Sequence, residues 1–360
     1  MRVLLVKTSS MGDIVHALPV VSDIKAAFPD AQVDWLVEEA YVPLVQAHPA
    51  VDRIIPLALR RWRKNLGSTE TREEWRAMVH SLRSFRFDAV IDLQGLVKSA
   101  LLARLARGPH IGLSWASSRE PLAPLFYDRR MKTPLRRTEA AVPRYRQLAA
   151  WALGYAPSGP PRYGLQVQAE RPAWLPGVRP FALLLSATAK PRKLWAEDRW
   201  VALARWLHQH GIASVFAWGN AIERERAERL AAQVNATLMK PGAESGGPPQ
   251  AIEDGAMAAP EAFGLDVWMQ VLAASALVVG VDTGLLYLGA AVGTPAVAVY
   301  TGSSPHSVEF ESAGPWRSLG DDDQPPLLND VMQAVTSLLG LPLAAVLSAS
   351  DQPVAPAAWA

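Results

Sequence analysis

The sequence predicts an α/β fold with two similar halves, each built around a parallel, doubly wound sheet. Short, β-branched apolar runs alternate with helix-like stretches along the chain. A segment rich in proline and glycine interrupts this alternation, which begins again at residue 181. Alternating strands and helices are typical of parallel sheets, and a break of this composition is typical of a linker between domains.

The first half begins with VLLV at residues 3–6, which is predicted to be a buried strand. A helix is expected after Asp13, because apolar residues recur at helical spacing from Ile14 to Phe28. A second helix is predicted over residues 72–85. Further strands are predicted at residues 33–37, 53–57 and 87–95.

The second half repeats this pattern. Its strands are predicted at residues 181–186, 212–219, 276–282 and 295–302. Its helices are predicted at residues 197–211, 221–234, 266–276 and 284–293.

Domain boundaries follow from this division. Residues 1–165 are predicted to form the first domain, 166–180 a Pro-rich linker and 181–346 the second domain. Residues 347–360 are expected to be a disordered tail. Residues 240–265 are too long for a tidy turn and are expected to be a mobile surface insertion.

The composition is that of a globular protein, with 50% hydrophobic and 19% charged residues among 360. The absence of cysteine excludes disulfides and cysteine-ligated metal sites, and fits a reducing compartment. Neither a signal peptide nor an apolar run of about 18 residues is recognisable. A soluble, cytosolic protein is therefore expected.

Positive charge is concentrated in the first half, although the net charge is only +2. Basic clusters lie at residues 60–65, 128–132 and 135–146, whereas an acidic run lies at 321–323. This asymmetry predicts an anionic ligand for the first half. Solvated surface charge is the alternative for any single cluster.

The loop KTSSMGD after the first strand ends in Asp13. Ligands of doubly wound sheets collect beyond the carboxyl ends of the strands, where a carboxylate can accept a proton from a hydroxyl. A helix cap is the alternative interpretation of Asp13. The flanking Gly12 and the pair Ser9 and Ser10 favour a site.

Two loops of the second half predict an anion site. The loop after the strand at 181–186 supplies the hydroxyl of Thr188 and the charges of Lys190, Arg192 and Lys193. The strand at 276–282 ends in Asp-Thr-Gly, directly before a helix. Helix N-termini stabilise negative charge, so a diphosphate fits this loop, with a simple helix cap as the alternative.

Several other classes of site are disfavoured. No G-x-G-x-x-G follows the first strand and no G-x-x-x-x-G-K-[ST] is present, which argues against a dinucleotide-dependent dehydrogenase and a P-loop nucleotidase. Seven histidines without paired spacing argue against a zinc hydrolase. Thirteen scattered tryptophans are typical of packing, so nucleic acid is not expected as a partner.

Residues 1 to about 346 resemble the bacterial lipopolysaccharide heptosyltransferases, a family of GT-B glycosyltransferases. The resemblance rests on KTSSMGDIVHALP at the start, RRWRKNL (60–66), DLQGLVKSALLARL (92–105), SWASSREP (114–121) and VDTGL (281–285). It implies two Rossmann-like domains facing a cleft, with the acceptor on the first and the nucleotide-sugar on the second.

The resemblance also implies the reaction, which is inverting and metal-independent, with no cofactor. The donor would be ADP-L-glycero-β-D-manno-heptose, and the acceptor a Kdo residue of Kdo2–lipid A, which receives its first heptose. Asp13 would be the general base, and Lys193 would stabilise the departing diphosphate. A peripheral contact with the cytoplasmic face of the inner membrane would follow from the lipid acceptor.

The remaining site residues follow from the same resemblance. The donor site would comprise Thr188, Lys193, Glu223, Asp282, Thr283, Gly284, Leu285 and Tyr287. The acceptor site would comprise Ser9, Ser10, Arg60, Arg61, Arg63, Lys64 and Arg119. The sequence departs from the family at Tyr287, where histidine is usual, and at Ala189, where a second threonine is usual.

Two classes of alternative function remain open. One is the second heptosyltransferase, or a related transferase with another nucleotide-sugar. The other is a nucleotide-sugar-binding protein without catalytic activity, for which an unpaired carboxylate at residue 13 would have no purpose.

Overall fold

The computed structural model describes residues 1–133, 141–175, 177–238, 255–307 and 310–341 of the chain. The predicted tail at 347–360 lies outside these residues, as do residues 240–254 of the predicted insertion and residues 135–140 of one basic cluster.

The chain divides into two compact units. The first comprises Met1–Val167 and Pro305–Ala313, and the second comprises Gln168–Ser304 and Gly314–Ala360. Pro305–Ala313 therefore belong to the first unit, although they lie within the range predicted for the second domain.

The first unit contains a parallel sheet with the strand order β3-β2-β1-β4-β5-β6. Its strands are β1 (Arg2–Val6), β2 (Gln32–Glu38), β3 (Arg53–Leu57), β4 (Ala89–Asp92), β5 (His110–Leu113) and β6 (Arg129–Met131). Its helices are α1 (Met11–Val15), α2 (Leu18–Ala27), α3 (Val42–Gln46), α4 (Leu59–Trp62), α5 (Thr69–Arg83), α6 (Val97–Ala103) and α7 (Ala141–Leu153).

The second unit contains a parallel sheet with the order β12-β11-β10-β7-β8-β9. Its strands are β7 (Phe181–Leu185), β8 (Ala213–Phe216), β9 (Ala256–Ala258), β10 (Leu277–Val281), β11 (Ala296–Val299) and β12 (Trp316–Leu319). Its helices are α8 (Glu197–Gln209), α9 (Ala221–Leu238), α10 (Leu265–Ala274), α11 (Gly284–Ala291) and α12 (Leu328–Leu339).

The two sheets share one topology, since the second order read from its other edge matches the first. The predicted doubly wound α/β fold is therefore confirmed for each unit. The central strands of the second sheet, β7 and β10, are apolar along their whole length because helices cover both faces of such a sheet. All residues of β10, for example, are buried.

Two expectations about local structure were wrong. The helix expected after Asp13 is divided into α1 and α2, and Asp13 lies inside α1 rather than before it. Pro19 explains the break, because proline lacks an N–H group and is tolerated only in the first turn of a helix. The described end of the predicted surface insertion contains β9, which pairs with β8.

The strand order reverses direction at one place in each sheet, and such places are where doubly wound proteins bind ligands. In the first unit the reversal lies between β1 and β4. In the second unit it lies between β7 and β10. The segments that follow these four strands at their carboxyl ends contain Asp13, in the first turn of α1, and Gln94, Lys193 and Asp282.

Candidate functional site

Asp13 takes part in capping a helix. Ser10 is the N-cap of α1 and donates hydrogen bonds from its backbone nitrogen (3.3 Å) and Oγ (3.1 Å) to Oδ2 of Asp13. The alternative interpretation of Asp13 as a capping residue is thus correct locally. The capping bonds use only Oδ2, so Oδ1 can interact with other groups.

A buried lysine and a tyrosine contact that second oxygen. Lys7 is completely buried, and its Nζ donates to the hydroxyl of Tyr145 at 2.9 Å. The Tyr145 hydroxyl in turn donates to Oδ1 of Asp13 at 3.1 Å, and Lys7 Nζ lies 3.5 Å from the same oxygen. A charged nitrogen and a hydroxyl therefore fix the carboxylate from inside the unit.

The Asp13 carboxylate is ionised yet accessible. Burial would raise its pKa, but Lys7 and then Arg119, whose NH1 lies 3.4 Å from Oδ2, outweigh burial and hold the pKa well below its usual value. The side chain remains 21% exposed. It can therefore accept a hydrogen bond or a proton from a ligand hydroxyl at physiological pH.

Gln94 joins the loops that follow β1 and β4. Its Oε1 accepts hydrogen bonds from the nitrogen (2.8 Å) and Oγ1 (2.7 Å) of Thr8, and its Nε2 lies 3.5 Å from Oγ of Ser9. The buried Asp92 accepts a hydrogen bond from the Gln94 nitrogen at 2.8 Å. These bonds hold Thr8 and Ser9 in the segment that leads to Asp13.

The cationic cluster at residues 60–64 does not act as one group. Arg61 forms ion pairs with Glu39 (2.9 Å) and Glu74 (3.0 Å), which neutralise it. Arg63 and Lys64 are exposed, as is Arg60, and none of these three forms an ion pair within the described residues. The structure therefore leaves three of the four cations in this cluster available to an anion.

In the second unit, Lys193 and Asp282 meet at the equivalent place. Lys193 donates a short hydrogen bond to Oδ2 of Asp282, which also accepts one from Ser303 Oγ at 2.6 Å. Burial would raise the pKa of Asp282, but the bonds from Lys193 and Ser303 outweigh it and lower the pKa. The Asp282 carboxylate is thus ionised, and its contact with Lys193 brings together two residues predicted for the donor site.

The loop after β10 also presents a helix N-terminus. Thr283 is the N-cap of α11 and has an extended backbone, while Gly284 and Leu285 form the first turn of the helix. N–H groups of a first turn lack partners within the helix and favour anions. The side chain of Thr283 makes no capping hydrogen bond, so its hydroxyl does not compete for these groups.

Tyr287 is buried behind this loop. Its hydroxyl donates to Oδ1 of Asp282 at 2.9 Å and lies 3.1 Å from the hydroxyl of Tyr300. Its ring stacks against Trp316, with 6.3 Å between the ring centroids. Tyr287 thus supports Asp282 from inside the unit.

The other predicted donor residues lie on neighbouring loops. Thr188 is half-buried in the loop that carries Lys193. Glu223 follows β8 and is half-buried, and its Oε2 accepts a hydrogen bond from the nitrogen of Gly219 at 2.8 Å. One oxygen of Glu223 is therefore engaged locally in the first turn of α9.

Sequence analysis did not identify Lys7, Gln94, Tyr145 or Ser303 as parts of these sites. Lys7 gave a weak signal, because a charged residue ended an apolar run. Tyr145 gave none, since it lies 132 residues from its partner Asp13.

Neither a metal-binding cluster nor a membrane-spanning helix is present among the described residues. No group of three or more His, Cys, Asp or Glu side chains there could hold a metal ion. No helix in the same part of the chain has both the length and the apolar character needed to cross a bilayer.

Residues 75–318 match the model of glycosyltransferase family 9 (heptosyltransferase). Lipopolysaccharide heptosyltransferase 1 of Pseudomonas aeruginosa is 41% identical over 85% of this chain and 80% of its own length. Lipopolysaccharide heptosyltransferase 2 of Escherichia coli is 26% identical over 85% of this chain and 84% of its own length.

Two solved structures of a heptosyltransferase are also similar to this chain. A heptosyltransferase of E. coli, solved with ADP, superposes with a TM-score of 0.78 at 35% identity. The same enzyme with ADP-2-deoxy-2-fluoro heptose gives a TM-score of 0.74. Each comparison covers 94% of this chain and 99% of the other.

Proposed function

The chain belongs to glycosyltransferase family 9, the heptosyltransferases, and from this premise we propose that it adds the first heptose to a Kdo residue of Kdo2–lipid A. It is a glycosyltransferase of lipopolysaccharide biosynthesis. The detailed proposal rests on the two equivalent places where the strand order reverses, one in each sheet. One holds an ionised, accessible carboxylate, and the other holds a lysine beside a helix N-terminus.

We propose ADP-L-glycero-β-D-manno-heptose as the donor, bound by the second unit. Its support is the ADP and the fluorinated ADP-heptose in the related E. coli structures. Lys193 and the first turn of α11 would bind the diphosphate, and Thr188 would add a hydroxyl. The oxygen of Glu223 that Gly219 does not use would accept hydrogen bonds from the ribose.

The acceptor would bind the first unit. The exposed cations Arg60, Arg63 and Lys64 suit the phosphates and carboxylates of Kdo2–lipid A, since guanidinium groups bind such anions bidentately. Arg119 would bind a further anionic group beside Asp13. Arg61 would contribute through its ion pairs with Glu74, which fixes α4 against α5, and with Glu39, which fixes α4 against the segment after β2.

In the proposed mechanism, Asp13 accepts the proton of the attacked Kdo hydroxyl as its oxygen bonds to the anomeric carbon. The bond from that carbon to the diphosphate breaks on the opposite face, and ADP departs, so the configuration is inverted. Lys193 and the α11 N–H groups stabilise the negative charge that develops on the diphosphate. This mechanism assigns the charge stabilisation to protein groups and uses no metal ion.

A lipid acceptor requires the enzyme to work at a membrane surface. We propose a peripheral contact with the cytoplasmic face of the inner membrane, supported by the exposed cations of the first unit. The second heptosyltransferase is the other candidate function. The lower identity to the relative with that name, 26% against 41%, favours transfer of the first heptose.

Mass spectrometry of the lipid after incubation with ADP-heptose and Kdo2–lipid A tests the proposal. The expected product carries one additional heptose. Parallel reactions use an acceptor that already carries one heptose, and GDP- or UDP-sugars as donors. A product only with the heptosylated acceptor would indicate the second transferase, and a preference for another nucleotide would refute the proposed donor.

A further inference from the structure

One flank of α5 carries a basic and apolar surface that the proposed site does not use. Arg72 and Arg76 are exposed on this flank, with Trp75 between them in sequence. Side chains three and four residues apart share one face of a helix, so Val79 and Arg83 continue the same strip. We call this strip the α5 flank.

Two hollows border the α5 flank. The first has a volume of about 320 Å³ and an apolar lining that includes Leu59, Trp62, Leu66 and Trp75, with three arginines. The second lies along Trp75, Val79 and Arg83 and includes Arg107. Neither hollow has an aspartate or glutamate among its lining residues.

The apolar groups here are unusually accessible. Leu66 is 71% exposed and Trp75 is 39% exposed, although Trp75 makes an edge contact with Trp62 at 5.9 Å between ring centroids. A tryptophan with one buried edge and one accessible face suits the boundary between water and lipid.

Two of the three glutamates of α5, Glu70 and Glu74, lie on the other side of the helix, and both form ion pairs with Arg61. The third, Glu73, is exposed beside the α5 flank, three residues before Arg76, and forms no ion pair within the described residues. Arg63, Arg72 and Arg76 have no ion-pair partner within the described residues. With one exposed glutamate beside Arg72, Arg76 and Arg83, the α5 flank carries a net positive charge.

We propose that the α5 flank, together with Leu66 just before the helix, docks on an anionic phospholipid bilayer. Leu66 and Trp75 would insert among the lipids, and Arg72 and Arg76 would contact the headgroup phosphates. Apolar burial and basic residues near the surface add to each other in such peripheral binding. The inference rests on the proposed lipid acceptor and deepens it. Arg60, Arg63 and Lys64 lie in α4 and the segment that leads to α5, so docking here would bring these acceptor cations to the membrane surface.

Co-sedimentation with vesicles tests the proposal on the full-length protein. Wild type is expected to bind vesicles of phosphatidylglycerol and phosphatidylcholine, and to bind pure phosphatidylcholine much more weakly. The variants L66S/W75S and R72E/R76E should each lose at least about tenfold in apparent affinity for the anionic vesicles. Thermal unfolding of each variant is compared with that of wild type. If W75S disturbs folding, the single variant L66S replaces L66S/W75S in the binding test.

Matched controls separate this surface from general charge and hydrophobicity. W151S removes an equally exposed tryptophan from α7, and R162E/R224E changes the net charge as much as R72E/R76E does. Both controls should bind vesicles like wild type. Equal losses in R162E/R224E, or no loss in L66S/W75S and L66S, would overturn the proposal. A loss in R72E/R76E alone would indicate a polyanion site without lipid insertion.

Transfer to a deacylated, water-soluble form of the acceptor separates this inference from the proposed function. The α5-flank variants should retain activity within about twofold of wild type on that acceptor, because they leave the proposed catalytic residues intact. Loss of rate only with acceptor in vesicles supports docking. An inactive wild type would refute the proposed function without affecting the vesicle-binding result.

Discussion

Nζ of Lys7 lies 3.5 Å from Oδ1 of Asp13, and the lysine side chain is completely shielded from solvent. Burial would lower the pKa of Lys7, but Tyr145 and Asp13 outweigh this effect and raise it. The lysine therefore stays charged and stabilises the ionised form of Asp13.

Replacing Lys7 by methionine should raise the pKa of Asp13, because burial of the carboxylate persists while the charge that lowers this pKa most is removed. The acidic limb of the kcat/KM profile should move to higher pH by about one unit or more. Lys25→Met is the control, since Lys25 pairs with Asp52 on the surface of the same unit. An unchanged acidic limb in Lys7→Met would show that Lys7 does not tune the base.

Replacing Asp13 by asparagine should reduce turnover by a factor of about 100 or more, because the amide cannot accept the proton. ADP affinity, measured by calorimetry, should stay unchanged because the proposed donor residues lie in the other unit. An asparagine oxygen can still accept the bonds from Ser10, so folding should persist.

Asp330 offers a control for the capping role of Asp13. Its Oδ2 accepts a hydrogen bond from the nitrogen of Leu327 at the start of α12, as Asp13 does at the start of α1. Asp330→Asn should leave turnover near wild type. Near-normal turnover in Asp13→Asn would mean that Asp13 only caps its helix.

The ion pair of Lys193 and Asp282 predicts a coupled effect on ADP binding. Lys193→Met should weaken ADP binding by about tenfold or more, because the diphosphate loses a cation and meets the carboxylate of Asp282 without its counter-charge. The double variant Lys193→Met/Asp282→Asn should bind ADP more tightly than Lys193→Met. Additive losses in this double-mutant cycle would contradict the proposed coupling.

Arg61 is paired with glutamates whereas Arg60 and Arg63 are not, so substitutions at these neighbouring arginines should affect different properties. Arg60→Glu/Arg63→Glu should raise the acceptor KM by about tenfold or more and leave the donor KM unchanged, because charge reversal replaces attraction by repulsion. Arg61→Ala should instead lower the melting temperature, since it removes the ion pairs to Glu39 and Glu74. A donor KM that rises with Arg60→Glu/Arg63→Glu would refute the assignment of acceptor binding to the first unit.

His48 predicts a pH dependence of stability that is separate from catalysis. Burial, with a smaller effect of Lys25, lowers its pKa from 6.5 to about 4, so the unfolded chain binds more protons between these values. Protonation of His48 should therefore not reduce the free energy of unfolding above pH 6.5. This free energy should fall by a few kcal/mol as the pH drops from 6.5 to 4. Urea unfolding across this pH range measures the free energy of unfolding. His48→Gln should flatten its dependence on pH, whereas His80→Gln, which changes an exposed histidine, should retain it.

The sequence predicted what depends on local pattern. The runs at 3–6 and 53–57 formed β1 and β3, and the position of Asp13, Lys193 and Asp282 after strands followed from the same pattern. Three-residue strands such as β6 and β9 were missed because so short a segment carries no periodicity. They form only because neighbouring strands offer hydrogen-bond partners.

Contacts across long stretches of chain could not be predicted in this way. The neutralisation of Arg61 depends on Glu39, 22 residues before it, and on Glu74, 13 residues after it. Charge counted along the sequence treats residues 60–64 as one cluster, whereas packing of α4 beside α5 separates Arg61 from Arg63. The same limitation applies to Tyr145, which reaches Asp13 only because α7 packs beside the sheet.

The return of Pro305–Ala313 to the first unit has a consequence for biosynthesis. Phe310 packs against Tyr163 at 5.3 Å and His16 at 5.7 Å between ring centroids, and Tyr163 donates a hydrogen bond to the carbonyl of Glu311 at 2.8 Å. A ribosome that has made only residues 1–167 has not yet supplied these partners. The first unit can complete its packing only when most of the polypeptide has left the exit tunnel. The two units therefore cannot finish folding strictly one after the other.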